Sequence, residues 1–388
     1  MNQKVHAGAG ERVVLTGATG FLGQEIFRLL IERRPEARLV LLVRETADKS
    51  AAQRLEALLA RCCAPEEREA VRRRIQVYAA DTALECCGLS PGDWAAVADG
   101  ATRIIHAAAA VRFDALIEET RRANVGGVRN VLELAGEARR RGSLGCFTHV
   151  STAFVAGCRA GLVREDELNT GQRFRNAYEA SKCEAETVVR ERAGELPAVI
   201  VRPSIVVGHS RTGATTSFHM MYWPLKAYVE RRWRIVPGSP RTPIDLVPVD
   251  FVAEATLHLA WDESAEGGTF HLCAGPGRSA TIGEIAGAAS RYFQLPAPRF
   301  VNPVLFLALL RPILEVTVWG KRRHVLKKGF FYRPYLDMRL EFDTTQADLR
   351  LSPAGIRPPN VMDYLDRLFA YCVESDWGRK PVAPRALE

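Results

Sequence analysis

Short apolar runs alternate with longer amphipathic stretches over the first two-thirds of the chain. Arg12–Thr16, Leu39–Val43, Ile75–Ala79, Arg103–His106, Cys146–Ser151 and Ala198–Arg202 are brief and rich in branched apolar residues, so they read as strands. Thr269–Cys273 reads as one more strand returning to the same sheet. Segments 22–34, 50–62, 65–74, 116–140 and 172–193 carry the period of amphipathic helices. Near-continuous apolar strands separated by helices predict an α/β fold, a doubly wound parallel sheet covered on both faces. Past residue 210 the alternation weakens, and Pro224, Pro237, Pro240, Pro243 and Pro248 break up the pattern. Residues 278–388 read as helical with proline breaks, and the first ten residues as a flexible lead. The division this suggests is a nucleotide-binding domain at 11–210, with a returning segment at about 244–275. A smaller, mainly helical substrate-binding region then comprises 211–243 and 276–388. No internal repeat or low-complexity tract interrupts the chain.

Four places along this pattern carry candidate chemistry. The first joins the first strand to the first helix, where Gly17, Gly20 and Gly23 punctuate a loop that also contains Thr19, Phe21 and Leu22. Glycines at that spacing permit a tight turn, close approach to a pyrophosphate and close helix–strand packing. The helix N-terminus adds free N–H groups and a positive dipole end. The second is Tyr178 with Lys182, whose i, i+4 spacing puts both side chains on one helix face. An ammonium beside a phenol is expected to lower its pKa from ~10, toward the range where it exchanges protons readily. The same spacing also describes an ordinary surface pair. The third is the strand end Ser151-Thr152, two hydroxyls that strand alternation points to opposite sides. One of them is then placed to hold a substrate oxygen beside Tyr178. The fourth is His106-Ala107-Ala108-Ala109, a buried strand opening into small residues where a flat cofactor can lie against the backbone.

In this order the motifs resemble the extended short-chain dehydrogenase/reductase family. The matching pieces are TGxxGxxG at 16–23, Asp81 after the third strand, HAAA at 106–109, Asn124 in Ala123–Gly127, Ser151-Thr152-Ala153, the YxxxK pair and Arg202-Pro203-Ser204. They span roughly residues 11 to 275. The resemblance implies a Rossmann-type domain with Thr152, Tyr178 and Lys182 as the catalytic set. It further implies that Asp81 meets the adenine, that Ala107, Ala108 and Ala109 line the cofactor, and that Pro203, Ser204 and Ile205 flank the nicotinamide. Asn124 would brace a helix and the nearby backbone.

More narrowly, the chain resembles fatty acyl-CoA reductases and the thioester reductase domains of carboxylic acid reductases. The phrases are Gly20–Gly23, Leu41–Arg44, His149–Gly157, Arg202–Gly208, Tyr222–Lys226 and Pro248–Ala253, with looser likeness at Tyr332–Tyr335 and Phe342–Thr345. This implies reduction of an acyl thioester, carried on coenzyme A or an acyl carrier protein, to an aldehyde and optionally a primary alcohol. The alternatives are another extended oxidoreductase, such as a hydroxysteroid dehydrogenase or a sugar-nucleotide epimerase or dehydratase, and a non-enzymatic cofactor sensor. The apolar, aromatic C-terminal part argues against a sugar nucleotide. A sensor has no need of Thr152, Tyr178 and Lys182.

Cofactor choice turns on the end of the second strand, where an arginine accommodates the 2′-phosphate of NADP and an acid holds the ribose of NAD. Arg44 stands there, with Lys49 and Arg54 as further positive contacts, so NADPH is expected. Glu45 is the competing acid. The formal net charge of +8 suits acidic partners such as a dinucleotide, coenzyme A, a carrier protein or anionic lipid. Nucleic acid is not expected, because no finger, homeodomain or aromatic RNA-binding signature accompanies the charge. Nine cysteines without CxxC or metal-ligand spacing read as reduced thiols. With no secretory signal, the chain reads as cytoplasmic and metal-free. Val304–Leu310 is too short to span a bilayer. It reads as a core helix, or else, with Lys321–His324, as an apolar lip or a peripheral membrane contact. Tyr222, Trp223 and Trp233 are candidates for an acyl tunnel. The oligomeric state is left open.

Overall fold

A computed structural model describes residues 10–111, 115–231, 234–303, 306, 335–336 and 338–382. Seven parallel strands form its central sheet: β1 (Arg12–Thr16), β2 (Arg38–Val43), β3 (Ile75–Ala79), β4 (Arg103–His106), β5 (Cys146–Val150), β6 (Ala198–Pro203) and β7 (Thr269–Leu272). Their order, β7-β6-β5-β4-β1-β2-β3, is that of a doubly wound nucleotide-binding sheet. Register follows burial, with Val14 of β1 facing Val40 of β2 on one side and Ile104 of β4 on the other.

Alternation along β1 explains why helices cover both faces. Val13 and Leu15 pack with Phe27 and Leu30 of α1 (Phe21–Arg33), Leu55 and Leu59 of α2 (Ala51–Cys62) and Leu257. Val14 turns the other way, onto Val128 and Leu132 of α3 (Gly127–Arg140) and Ala185 and Val189 of α4 (Ala177–Glu191). Helix α5 (Val249–Trp261) lies against α1 and supplies Leu257 and Ala253 to the first face.

Two sequence expectations about helices need correction. The stretch 116–140 is not one regular helix. Ile117–Arg121 passes into a π-helical segment, Arg122–Gly126, before α3 begins. The wide turn carries Asn124, whose Oδ1 accepts from Ala110 N–H at 2.8 Å and whose Nδ2 donates to Ser181 Oγ at 2.9 Å. Similarly, α4 starts at Ala177 and not near 172, because Asn176 caps it, accepting from Glu179 N–H at 3.0 Å. That cap places Tyr178 in the first turn.

The region beyond β6 mixes helices and short strands. Ile205–Val207 pairs with Leu246–Pro248, and Gly161–Val163 pairs with Leu340–Phe342. Phe154, Ile205, Tyr222, Phe342, Tyr364 and Phe369 share one core with α6 (Ile282–Phe293) and α8 (Leu365–Glu374). Helix α7 (Thr345–Leu351) instead returns to the sheet, where Ala347 and Leu351 join Val199, Val201 and Phe251. Glu165 fixes that return by accepting N–H bonds from His271 (2.8 Å), Gln346 (2.6 Å) and Ala347 (3.1 Å). Trp233, 304–305, 307–310, 321–324 and 332–334 lie outside the described residues, so the apolar lip and basic cluster are not placed. Among the described residues no helix is long and apolar enough to cross a membrane.

Candidate active site

The glycine loop is as compact as its spacing suggests. Gly17 takes φ +75° and sits against the turn after β4, where a Cβ would meet Ala108 N at 2.6 Å. A Cβ on Gly23 would come to 2.0 Å from Gly17 O, so α1 crosses the loop only because that position is bare. Gly20 meets nothing closer than 3.2 Å. No side chain caps α1, whose first turn opens on a cleft lined by Thr19, Gly20, Phe21, Leu22 and Gly23. An uncapped N-terminus behind a glycine cradle fits the pyrophosphate of a dinucleotide.

The same cleft is lined by Ala107, Ala109, Ser151, Thr152, Tyr178, Lys182, Pro203, Ser204 and Ile205. Gly17 and Ala108 pack against one another and are not among its lining residues. Asp81 is not among the lining residues. It closes the turn after β3 by accepting from Ala83 N–H at 3.0 Å.

At the end of β2, Arg54 donates to Thr19 Oγ1 at 2.5 Å and to the carbonyl of Arg44. Burial and the neighbouring Arg44 both push its pKa down, against the weaker pull of Asp48. Lys49, Arg54, Arg61 and Thr19 line a small polar recess there, which fits a phosphate. Glu45, the competing acid, accepts from Ala51 N–H at 3.2 Å, on the first turn of α2. The motifs alone do not single out Arg61, although it stands seven residues after Arg54 on one helix and so shares its face.

Ser151 and Thr152 part company at the end of β5. Ser151 Oγ donates to Glu186 Oε2 at 2.7 Å. Thr152 Oγ1 accepts from Phe154 N–H at 3.3 Å and hydrogen-bonds the Tyr178 hydroxyl. Glu186 is fully buried and pairs with Arg202 at 2.6 Å and Arg190 at 3.0 Å, which holds its carboxyl below the ordinary range despite burial.

Lys182 is 1% exposed. Its Nζ donates to Val150 O at 2.8 Å and lies 3.4 Å from His149 Nε2. Burial pushes the ammonium down to about 8, against the pull of Glu186. The expected lowering of the phenol does not occur. Tyr178 is pushed up to about 12, because loss of water around it outweighs the Thr152 hydrogen bond. Burial therefore decides the phenol, which stays protonated near neutrality. His149 and His106 are both buried and pushed down, His106 to about 3, so they stay neutral. They stack with ring centroids 5.7 Å apart, and His106 Nδ1 lies 2.8 Å from Thr16 Oγ1.

Next to this cleft lies an apolar chamber bounded by Leu225, Tyr228, Ile244, Ile285 and Ala289. Its volume, about 130 Å³, approaches the ~150 Å³ of a cavity that takes benzene, so it holds on the order of six carbon atoms. Ile205, Met220 and Tyr335 border both spaces. Tyr222 is not in the wall; it is buried in the core with its hydroxyl accepting from Gly208 N–H at 2.7 Å. Among the described residues no group of His, Cys, Asp or Glu is arranged to hold a metal ion, and all nine cysteines are free thiols.

A seven-stranded sheet in this order, a glycine-cradled helix N-terminus and a Thr–Tyr–Lys cluster at its C-terminal edge define an extended short-chain dehydrogenase/reductase, an NAD(P)-binding oxidoreductase class. Within it, the chain belongs to the Male sterility protein family, an NAD-binding family whose model matches residues 15–256. It is 29% identical over 281 residues to "Fatty acyl-CoA reductase wat" of Drosophila melanogaster, a match covering 64% of this chain and 54% of that protein. The chain thus spans about half the length of that relative. It is also 29% identical over 272 residues to a linear gramicidin synthase chain of Brevibacillus parabrevis, covering 68% of this chain and 5% of that protein. Among solved structures, the terminal R domain from the myxalamid PKS-NRPS biosynthetic pathway superposes with TM-score 0.79 at 27% identity, covering 97% of this chain and 94% of that one. A UDP-glucuronic acid 4-epimerase from Bacillus cereus, 16% identical with TM-score 0.65, shares the fold.

Proposed function

We propose that this protein reduces an acyl thioester, on coenzyme A or a carrier protein, using NADPH. The observation that carries this reading is the junction of two unlike spaces: a polar cleft holding Thr152, Tyr178 and Lys182, and an apolar chamber opening beside it. A polarised carbonyl held in the first leaves its hydrocarbon tail to the second. Such a chamber has nothing to offer a sugar hydroxyl. Likeness to fatty acyl-CoA reductases and to an R domain supports the thioester as substrate class.

The glycine loop and the α1 N-terminus would hold the pyrophosphate, Arg44, Arg54 and Lys49 the 2′-phosphate, Pro203–Ile205 the nicotinamide and Lys182 its ribose. When bound, NADPH supplies hydride to the thioester carbonyl carbon. Thr152 and Tyr178 hydrogen-bond the carbonyl oxygen and stabilise its growing negative charge. Tyr178 then gives that oxygen its proton, for which its retained proton near neutrality suits it. The resulting hemithioacetal returns its hydroxyl proton to Tyr178 as its C–S bond breaks, and the departing thiolate takes a proton from solvent. Aldehyde and thiol are released and the phenol is restored. A second hydride would carry the aldehyde on to a primary alcohol, and the product masses distinguish the two end points.

The test follows absorbance at 340 nm with a panel of acyl-CoA and carrier-bound thioesters, with products identified by mass. Thioester-dependent oxidation that Tyr178→Phe abolishes supports the reading. Turnover of a ketone, alcohol or sugar nucleotide, with every thioester inert, overturns it.

A further inference from the structure

We propose that Met220 and Tyr335 form a fixed neck that selects acyl groups by their width next to the reacting carbonyl, passing unbranched chains and rejecting branched or ring-bearing ones. This rests on the thioester reading above. Ile205, Met220 and Tyr335 are the described residues that border both the polar cleft and the apolar chamber, so an acyl group with its carbonyl in the first and its tail in the second has to pass them.

Tyr335 is held too firmly to yield. It is 5% exposed, its hydroxyl donates to Glu179 Oε1 at 2.7 Å, and it accepts from Asn176 Nδ2 at 2.7 Å. Glu179 is itself buried and paired with Arg175 at 3.3 Å, and the Arg175 guanidinium lies over the Tyr335 ring at 5.5 Å. These anchors stand in and just before the helix turn that carries Tyr178, so the wall of the neck and the phenol share one support. Phe154, which lines the cleft, meets the Tyr335 ring edge-on with centroids 5.8 Å apart.

Met220 lines the same two spaces and has φ +46°, a left-handed conformation that strains a residue with a side chain. Such a conformation directs a long side chain where an ordinary loop would not. A methyl branch on the carbon beside the carbonyl would have to lie in this constriction, and a misplaced methyl group is worth roughly 10–200-fold in kcat/KM.

The experiment compares kcat/KM for octanoyl-CoA with that for 2-methyloctanoyl-CoA and benzoyl-CoA. Wild type is expected to favour the straight chain at least tenfold. Met220→Gly, which suits the backbone conformation and removes the side chain, and Tyr335→Ala, which removes the other wall, are each expected to lower that ratio at least tenfold. Met220→Leu, similar in bulk, is expected to keep it. Loss of folded enzyme lowers all substrates together and leaves the ratio untouched. A wild-type ratio near one, or a ratio unchanged in either opening variant, overturns the neck. If no thioester is reduced at all, the function reading fails separately. The neck is then tested by displacement of a fluorescent fatty acid with octanoate or 2-methyloctanoate, where the same variants should erase a straight-chain preference.

Discussion

Ser151 and Glu186 lie 2.7 Å apart, oxygen to oxygen, at the edge of the cleft that holds Tyr178. Their bond ties the end of β5 to a fully buried ion pair and, by strand alternation, presents the next residue, Thr152, to Tyr178. Two adjacent hydroxyls therefore divide the work. Ser151→Ala should cost about 1.5–3 kcal/mol of stability, the range for a hydrogen bond to a charged group. It should change kcat little in the protein that remains folded. Thr152→Val leaves the buried Phe154 N–H without its side-chain acceptor and should also cost about 1–3 kcal/mol of stability. In the protein that remains folded, however, it should lower kcat by roughly 10²-fold, as loss of one oxyanion donor does. Thermal melts paired with steady-state kinetics on both variants check the division. Equal losses of kcat in the two would refute it.

Arg202 is the group that makes the buried Glu186 tolerable. Its guanidinium takes both carboxylate oxygens, at 2.6 and 3.0 Å, and also reaches the carbonyls of Glu165 and Glu167. Arg202→Met would strand a buried carboxylate, with only Arg190 and Ser151 left to face it. The expected loss is about 3 kcal/mol, the lower end for breaking a buried pair. The sign of its pH dependence follows from the depressed Glu186 pKa. In wild type this group stabilises the fold above the ordinary carboxylate range, and that contribution fades as pH falls through the depressed value. In the variant, Glu186 takes up a proton at higher pH. The gap in melting temperature between the two proteins should therefore be widest near neutrality and close in acid. A gap constant from neutrality down to pH 4 would count against the pair as described.

Much of this arrangement is readable in the chain, and what is not has a common cause. The glycine spacing in the first turn, the seven apolar strands and the hydroxyl–tyrosine–lysine triplet are local patterns whose geometry repeats from protein to protein. The Tyr178 titration escapes such a reading because spacing shows that Lys182 is near but not that the phenol is buried away from water. The start of α4 is drawn too early because Arg173 and Phe174 extend the helical period, whereas Asn176 supplies the cap that ends it. Met220 carries no local signal, and Tyr335 only the loose family likeness of Tyr332–Tyr335. They are 115 residues apart and meet only once the chain beyond residue 210 has folded over the cleft.

Cofactor preference should rest on Arg54. It bridges the glycine loop and the end of β2 through Thr19 and the Arg44 carbonyl, and it carries no salt bridge among the described residues. A charge-assisted contact to phosphate contributes about 1.5–3 kcal/mol, or roughly 10–100-fold in affinity. Arg54→Ala should raise Kd for NADPH by that factor and leave NADH nearly unchanged. Fluorescence titration of both nucleotides measures it directly. Parallel weakening of the two would assign Arg54 to holding the loop and not the 2′-phosphate.

The alkaline limb of activity should belong to Lys182 and not to Tyr178. Burial brings the lysine down to about 8 and drives the tyrosine up to about 12, so on raising the pH the ammonium loses its proton first. The groups facing that ammonium are the Val150 carbonyl, neutral His149 and, farther off, Glu186. None of these gains a compensating positive charge as the pH rises. A neutral amine still donates a hydrogen bond but no longer offers positive charge to the bound nucleotide or the developing oxyanion. The free-enzyme profile, kcat/KM, should therefore fall above pH about 8. Lys182→Arg, which keeps its charge throughout, should lower the overall rate through misfit at the Val150 carbonyl but remove the fall. Rate measurements from pH 6 to 9.5, over a window where the protein stays folded by circular dichroism, decide it. A limb that persists unchanged in Lys182→Arg would assign the titration to another group and leave Lys182 a purely structural tie between α4 and β5.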